Sequence, residues 1–165
     1  MSSGRFPCPD INADGQEDPL GGVGGCTANE GALPEVTLGV IGDDAWHQQH
    51  LYLVTGSFAD DVDGTGCGSA TPAVSFELCS SGDINIVDQS VGGSLIANNV
   101  PAAIVSSGKN WIEAPSVNEL ENTDGDRTLV SRVYTSVAGQ EFDDLVSWIS
   151  PNVLRSKMVE ANRLP

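Results

Sequence analysis

Basic side chains are scarce in this sequence of 165 residues: lysine and arginine together number 7, against 23 aspartate and glutamate residues, and the formal net charge is −16. A field of this sign repels nucleic acid and anionic lipid headgroups. The composition therefore argues against a nucleic-acid-binding protein and favours solubility, cation binding or basic partners. A solvated acidic surface, as in secreted proteins from salty habitats, accounts for the charge without any specific ligand.

Long apolar runs are absent as well. The sequence contains no signal peptide and no stretch long enough to cross a membrane, and its first five residues, Met1 to Arg5, are mostly polar. Oxidised cysteines would require export, which something upstream must direct. We therefore expect this sequence to be part of a longer exported protein whose preceding segment is missing here.

Catalytic motifs are missing too. There is no Gly-x-Ser-x-Gly elbow of the kind that presents a nucleophilic serine. Ser106–Lys109 resembles part of a phosphate-binding loop, but Ala103 stands where the first glycine belongs and Asn110 follows the lysine. The sequence predicts a protein that is not an enzyme, and a secreted hydrolase with carboxylate chemistry is the least favoured alternative.

The four cysteines lack the close Cys-x-x-Cys pairs from which structural zinc sites are usually built. An even number in a loop-rich chain favours disulfides and an oxidising compartment. Three connectivities are possible, and local pairing, in which each bridge closes one glycine-rich loop, is the one we predict. The predicted bridges are Cys8–Cys26 and Cys67–Cys79.

The hydrophobic pattern predicts a single α+β domain over residues 1–165 with an antiparallel sheet of about four strands. Glycine is abundant, at 19 residues, which indicates many turns and long loops. A short strand or turn is predicted at Val36–Val40, and a further strand or arm at Arg127–Thr135. The four main strands are predicted at His50–Phe58, Ala73–Cys79, Asp83–Val87 and Ala102–Ser106.

The carboxyl-terminal part shows helical spacing. Apolar residues recur at this spacing from Phe142 to Ile149, and Ser150 followed by Pro151 is typical of a helix start. We therefore predict two short helices with a break at Pro151.

One loop matches the first half of an EF-hand calcium loop. Asp10, Asn12 and Asp14 occupy alternate positions, a glycine follows, and Asp18 falls at the ninth position. Oxygen ligands at this spacing can converge on one hard cation. The twelfth position is Gly21 instead of glutamate, so a loop of Asx turns is the competing interpretation.

Two further acidic segments are alternative calcium sites. The first is Asp60–Gly64, and the second comprises Asn122, Asp124 and Asp126, with Glu121 beside them. A metal site at Asp44, His47 and His50 is less favoured than two surface histidines.

Five segments in series resemble type IV pilin-like and type II secretion pseudopilin-like proteins, and together they span nearly the whole chain. Two positions depart from the family pattern: Glu35, where tryptophan is frequent, and His47, where glycine is frequent. The segments are Gly4–Asp10 with Cys26, Gly31–Pro34 with Val36–Gly39 and Asp44–Trp46, Asn99–Ala102 with Ser107–Asn110, Glu119–Asn122 with Asp124–Asp126, and Phe142–Asn152 with Arg163–Pro165.

This resemblance implies the soluble head of a filament subunit from a Gram-negative bacterium, at the periplasmic face of the inner membrane or in an extracellular filament. In the family, a hydrophobic helix precedes this region, anchors the subunit in the membrane and later forms the filament core. The implied partners are other pilin or pseudopilin subunits, with membrane contact only through that helix. A free calcium-dependent extracellular binding module or adhesin is the alternative.

Overall fold

The computed structural model describes residues 4–21, 24–60, 75–111 and 115–162. Within these ranges the chain is a mixture of short helices and strands. A 3-10 turn at Gly56–Phe58 follows the second strand. In chain order the elements are β1 (Glu30–Ala32), α1 (Glu35–Leu38), β2 (Leu51–Val54), β3 (Ile84–Val87), β4 (Leu95–Val100), β5 (Ala102–Ser106), α2 (Val117–Glu121), β6 (Thr128–Val130), β7 (Leu145–Trp148) and α3 (Pro151–Glu160).

The larger sheet is antiparallel and has four strands in the order β1-β2-β5-β7. Leu53 pairs with Ala103, which in turn pairs with Trp148 on the other side of β5. Because side chains alternate between the two faces of a strand, these three residues share one face. The predicted antiparallel sheet of four strands is confirmed, although its members differ from those predicted.

The smaller sheet has three strands in the order β4-β3-β6, with β3 antiparallel to β4 and parallel to β6. The main hydrophobic core joins the two sheets. Leu53, Ala103 and Val105 of the larger sheet form one cluster with Ile84 and Ile86 of the smaller one. All five are at most 1% exposed, so burial of this shared face is the main source of stability in the fold.

The other face of the larger sheet carries the amino-terminal loop. Tyr52 and Val54 pack there with Leu33, and Phe6 and Cys26 lie against this cluster. The Tyr52 hydroxyl donates to the Pro7 carbonyl at 3.1 Å. The loop is therefore seated on the sheet by both apolar and polar contacts.

The predicted helix over Phe142–Ile149 is wrong, because residues Leu145–Trp148 form strand β7. Val146 and Trp148 pack against the main core, whereas Leu145 is 63% exposed. Spacing at 3, 4 and 7 residues fits a helix, but alternation at Val146 and Trp148 also fits a strand. Hydrogen bonding to β5 favours the strand over the helix, because tertiary context often overrides local preference.

The strand predicted at Ala73–Cys79 is also wrong in its described part, because residues 75–79 form no strand and residues 73 and 74 lie outside the described ranges. Ser75 donates its backbone N–H to Gly4 and its hydroxyl to Ser57. These hydrogen bonds to loops replace those of a sheet ladder. Phe76 is buried in a separate cluster with Phe58 and Leu154.

Three other local predictions are confirmed. The helix predicted to start at Pro151 is confirmed by α3, which has proline in its first turn. The predicted strands at Asp83–Val87 and Ala102–Ser106 correspond to β3 and β5. The segment Val36–Val40 contributes to helix α1 and not to a strand. No helix in the described ranges has the length and apolar content needed to cross a lipid bilayer.

The Cys8–Cys26 disulfide is confirmed, with the two Cα atoms 5.2 Å apart. It closes the loop of 18 residues that lies on the sheet. Cys79 is disulfide-bonded as well, and its predicted partner Cys67 lies outside the described residues.

We expect peptide mapping under non-reducing conditions to yield a cross-linked peptide that joins Cys67 to Cys79. The short interval between the two residues makes local pairing the easiest closure. Recovery of Cys67 as a free thiol would contradict the prediction, and the Cys8–Cys26 peptide in the same digest is the internal control.

Candidate functional site

Three carboxylates meet between helix α2 and the start of strand β7. Glu119 is in α2, and Asp143 and Asp144 immediately precede β7. Each residue offers one oxygen, and these oxygens lie within 4.8 Å of one another. Glu119 is 3% exposed and Asp144 is 5% exposed. Asp143 is partly buried, and grouping it with two buried acidic side chains is costly unless hydrogen bonds or a cation compensate.

Glu119 is held by the local sequence of its helix. Ser116 and Glu119 form a capping box, in which the Ser116 backbone N–H donates to Glu119 Oε2 at 2.6 Å. The Asp143 backbone N–H donates to Glu119 Oε1 at 2.9 Å, and Asn110 Nδ2 lies 3.3 Å from both oxygens. The Glu119 carboxylate thus caps the start of α2 and also binds the segments that contain Asn110 and Asp143.

Asp144 is held by Asn122, which is itself only 1% exposed. Asn122 Nδ2 donates to Asp144 Oδ2 at 2.8 Å, and its Oδ1 accepts the Val130 backbone N–H at 2.7 Å. Burial raises the pKa of Asp144 to about 7, and the nearby charges of Glu119 and Asp143 act in the same direction against the Asn122 hydrogen bond. Ionisation of all three carboxylates is therefore unfavourable when no cation is bound.

Two buried oxygens in this region lack any hydrogen-bond partner. They are Asn110 Oδ1 and Asp143 Oδ1, and they are the two such buried side-chain atoms found among the described residues. Asp143 Oδ2, in contrast, accepts the Lys109 backbone N–H at 2.9 Å. Buried polar atoms are nearly always paired, so an orphaned oxygen calls for an unseen water or ion.

Gly108 leaves room for Asp143. It has a φ of +64°, and a Cβ atom at this position would overlap with Asp143 Oδ1. Any other residue at position 108 would therefore suffer both backbone strain and a clash with a carboxylate of the site.

The donor chemistry of the site fits a hard cation. Carboxylate and amide oxygens are the ligands that such ions prefer, and no nitrogen or sulfur donor belongs to the group. A divalent cation would offset most of the negative charge of the three carboxylates and supply a partner for the orphaned oxygens. Glu119, Asp143 and Asp144 could therefore hold a metal ion.

The carboxylates of the predicted calcium loop accept backbone hydrogen bonds. Asp10 is 2% exposed and accepts the N–H groups of Asn12, Ala13 and Gly15 at 2.7 to 3.1 Å. Asn12 and Asp14 each accept the N–H two residues further on, and Asp18 accepts two more. These are consecutive Asx turns. Three carboxylates of this loop do not meet as a cluster among the described residues, and its calcium site stays a prediction.

The alternative calcium site at Asn122, Asp124 and Asp126 does not form a single group of side chains. The side chain of Asn122 points into the protein toward Asp144, whereas Asp124 and Asp126 form an exposed cluster with Glu121 within 4.8 Å. The other acidic segment is described only at Asp60, because residues 61–64 lie outside the described ranges.

The residues Asp44, His47 and His50 form no metal cluster in the described part of the chain. Asp44 accepts the Ser106 hydroxyl at 2.7 Å, and His50 Nδ1 lies 2.7 Å from the Gly42 carbonyl. Asp44 and His50 therefore make local hydrogen bonds, and His47 is exposed while His50 is partly buried.

Sequence reasoning missed Glu119, Asp143 and Asp144 as a site. The Ser-x-x-Glu pattern at Ser116–Glu119 was a visible capping signal, and two adjacent aspartates stand before Leu145. Neither pattern indicates that the two segments meet, because 24 residues separate Glu119 from Asp143.

A second feature is an open apolar groove of about 490 Å³ on the outer face of the larger sheet. Its lining includes Tyr52 and Ile104 of the sheet, and Phe6 and Pro7 from the amino-terminal loop. Leu38 and Val153, which also line it, are 43% and 53% exposed. The remaining lining residues are Leu33, Ala102, Ala103, Ser147, Trp148, Ile149 and Ser150.

Comparisons with protein-family models, curated proteins and solved structures found no match to this chain.

Proposed function

We propose that this chain is the head domain of a pilin-like or pseudopilin-like filament subunit that acts by assembly. The observation that carries the proposal is the open apolar groove on the four-stranded antiparallel sheet. An apolar surface of this kind is costly in water and is typical of a binding surface. The five sequence segments described above supply the family resemblance.

The groove suits an apolar helix. The resemblance implies such a helix before residue 4 in the complete protein, and Phe6 and Pro7 already line the groove. A helix that ends just before these residues could lie along the sheet without a long connecting segment. Burial of Leu38 and Val153 beneath it would add about 25 cal/mol for each Å² of apolar surface removed from water.

We further propose calcium as the ion at Glu119, Asp143 and Asp144. Calcium accepts several oxygen ligands in flexible geometry, whereas magnesium demands a near-ideal octahedron and retains water. Two buried carboxylates and a partly buried one, with the unpaired Asn110 amide oxygen in the same region, resemble the first case. The ion would act structurally, by joining α2 to the start of β7.

Groove substitutions in the full-length protein test the assembly role. In the bacterium that encodes it, Leu38→Glu or Val153→Glu should abolish recovery of the subunit in sheared surface filaments, because a charge would be buried under the helix. Both side chains are half-exposed in the isolated domain, so its thermal midpoint should change little.

Val133→Glu is the matched control, because Val133 is 86% exposed and does not line the groove. It should assemble normally. Unchanged assembly of both groove variants, or recovery of the native protein only as free monomer in the medium, would contradict the proposal. The second result would favour the alternative, a free calcium-dependent binding module.

A further inference from the structure

A separate cavity of about 440 Å³ lies beside strand β1, and none of the three carboxylates of the metal site and none of the groove residues line it. Its lining combines a large aromatic ring with several hydrogen-bonding side chains. Trp111 is 46% exposed although its indole lines the cavity. The polar lining comes from Glu30, His47, Gln48, Gln49, His50, Ser107 and Thr123. A concave site with a few convergent polar groups is the usual form of a binding site.

Glu30 is the charged group of this lining, and it lacks a partner. Among the described residues its carboxylate makes no hydrogen bond and no ion pair. Burial raises the pKa of Glu30, and the charges of Asp124 and Asp126 raise it further, against the opposing effect of Arg127. The carboxylate is therefore only partly solvated and lies in a negative field.

Arg127, the cationic side chain that acts on Glu30, already makes hydrogen bonds to other groups. It donates to the Asp83 carboxylate at 2.8 Å and to the Val54 carbonyl at 2.8 Å, and in the structure as described it makes no hydrogen bond to Glu30. Asp124 and Asp126 act electrostatically on Glu30 and form a cluster with Glu121, so further carboxylates lie near this cavity. The local charge therefore matches a cationic ligand.

We propose that this cavity binds the guanidinium group of an arginine side chain on a partner protein. A guanidinium is planar, stacks on an indole ring and donates two parallel hydrogen bonds to a carboxylate. Trp111 offers the ring and Glu30 the carboxylate, while Gln48, Ser107 and Thr123 offer further acceptors. The partner is basic, because the net charge of −16 on this chain attracts positive surfaces over distance. This inference depends neither on the assembly role nor on the metal site.

The experiment is a titration of the ¹⁵N-labelled domain with N-acetyl-arginine methylamide, followed by the indole N–H signal of Trp111. That signal is assigned by its loss in Trp111→Phe. We expect a saturable shift, and binding about tenfold weaker for the neutral citrulline analogue, since a hydrogen bond to a charged group is lost. The lysine analogue should also bind more weakly, because it cannot stack or bind in a bidentate manner. Each titration is run with calcium and with chelator, so that the state of the metal site does not decide the result.

Glu30→Gln should weaken arginine binding about tenfold, and Trp46→Leu is the matched control. Trp46 is 40% exposed and does not line the cavity, so its removal should leave binding unchanged. Equal binding of the citrulline or lysine analogue, unchanged binding by Glu30→Gln, or no shift of the Trp111 signal would each overturn the proposal. Amide spectra of the variants verify that they are folded.

Discussion

Millimolar calcium should raise the thermal midpoint of the isolated domain, and Asp143→Asn should remove most of that rise. An ion that binds only the folded state adds about 2.7 kcal/mol at a hundredfold excess over its dissociation constant. For a chain of this length that corresponds to a rise of roughly 5–10 °C. Magnesium should substitute poorly, because it retains its water and tolerates irregular sites badly. Differential scanning calorimetry with calcium, magnesium and chelator measures all three.

The substitution is chosen to remove charge and keep shape. Asparagine at position 143 retains an oxygen that can accept from Lys109, as Asp143 Oδ2 does at 2.9 Å. In chelator the variant should be as stable as the native domain or more so, because it loses a negative charge beside Glu119 and Asp144. A loss of the calcium response at unchanged basal stability separates a ligand from a merely structural residue.

Two matched controls locate the ion. Asp14→Asn alters the predicted calcium loop at Asp10–Asp18, and Asp126→Asn alters the exposed cluster with Glu121. Both should retain the calcium response. A response that Asp14→Asn abolishes would instead place the ion in the amino-terminal loop, and a midpoint indifferent to calcium in the native domain would exclude both sites.

In chelator, the domain should become less stable as the pH rises from about 6 to about 8. The pKa of Asp144 is raised to about 7 in the folded protein from an ordinary 3.8. A carboxyl with a raised folded pKa contributes stability that is fully present below its unfolded pKa and is lost as the pH passes through the folded value. The loss over this interval is of order 1 kcal/mol, or a few degrees in the midpoint.

Asp144→Asn is the decisive variant for this effect. It cannot ionise, and it still offers an oxygen to Asn122, so its midpoint in chelator should vary much less over the same interval. Saturating calcium should also flatten or reverse the slope in the native domain, because metal binding favours the ionised carboxylate. A native midpoint independent of pH in chelator, or an equal slope in Asp144→Asn, would contradict the assignment.

Much of the local structure followed from the sequence because its causes are local. Alternating residues in Ile84–Val87 meet the requirement of a strand with one buried face, and the continuous apolar run from Ala102 to Val105 fits a strand that is buried on both faces. Ser150 and Pro151 mark the start of α3 because proline lacks the N–H that a helix leaves unpaired there. The interval of 18 residues made Cys8–Cys26 an easy closure.

The remaining features depended on which segments meet. Residues Leu145–Trp148 could satisfy either period, and pairing with β5 made them a strand. Glu119 and Asp143 are unremarkable in sequence, and they become a candidate metal site because the capping box of α2 turns one carboxylate toward the backbone of the other segment. Conversely, the acidic loop at Asp10–Asp18 had the better motif, yet no three of its carboxylates meet as a cluster in the described structure, and they accept hydrogen bonds from backbone N–H groups. Composition and spacing determine which metal-ligating groups a chain possesses, and only tertiary contacts decide which of those groups meet at one site.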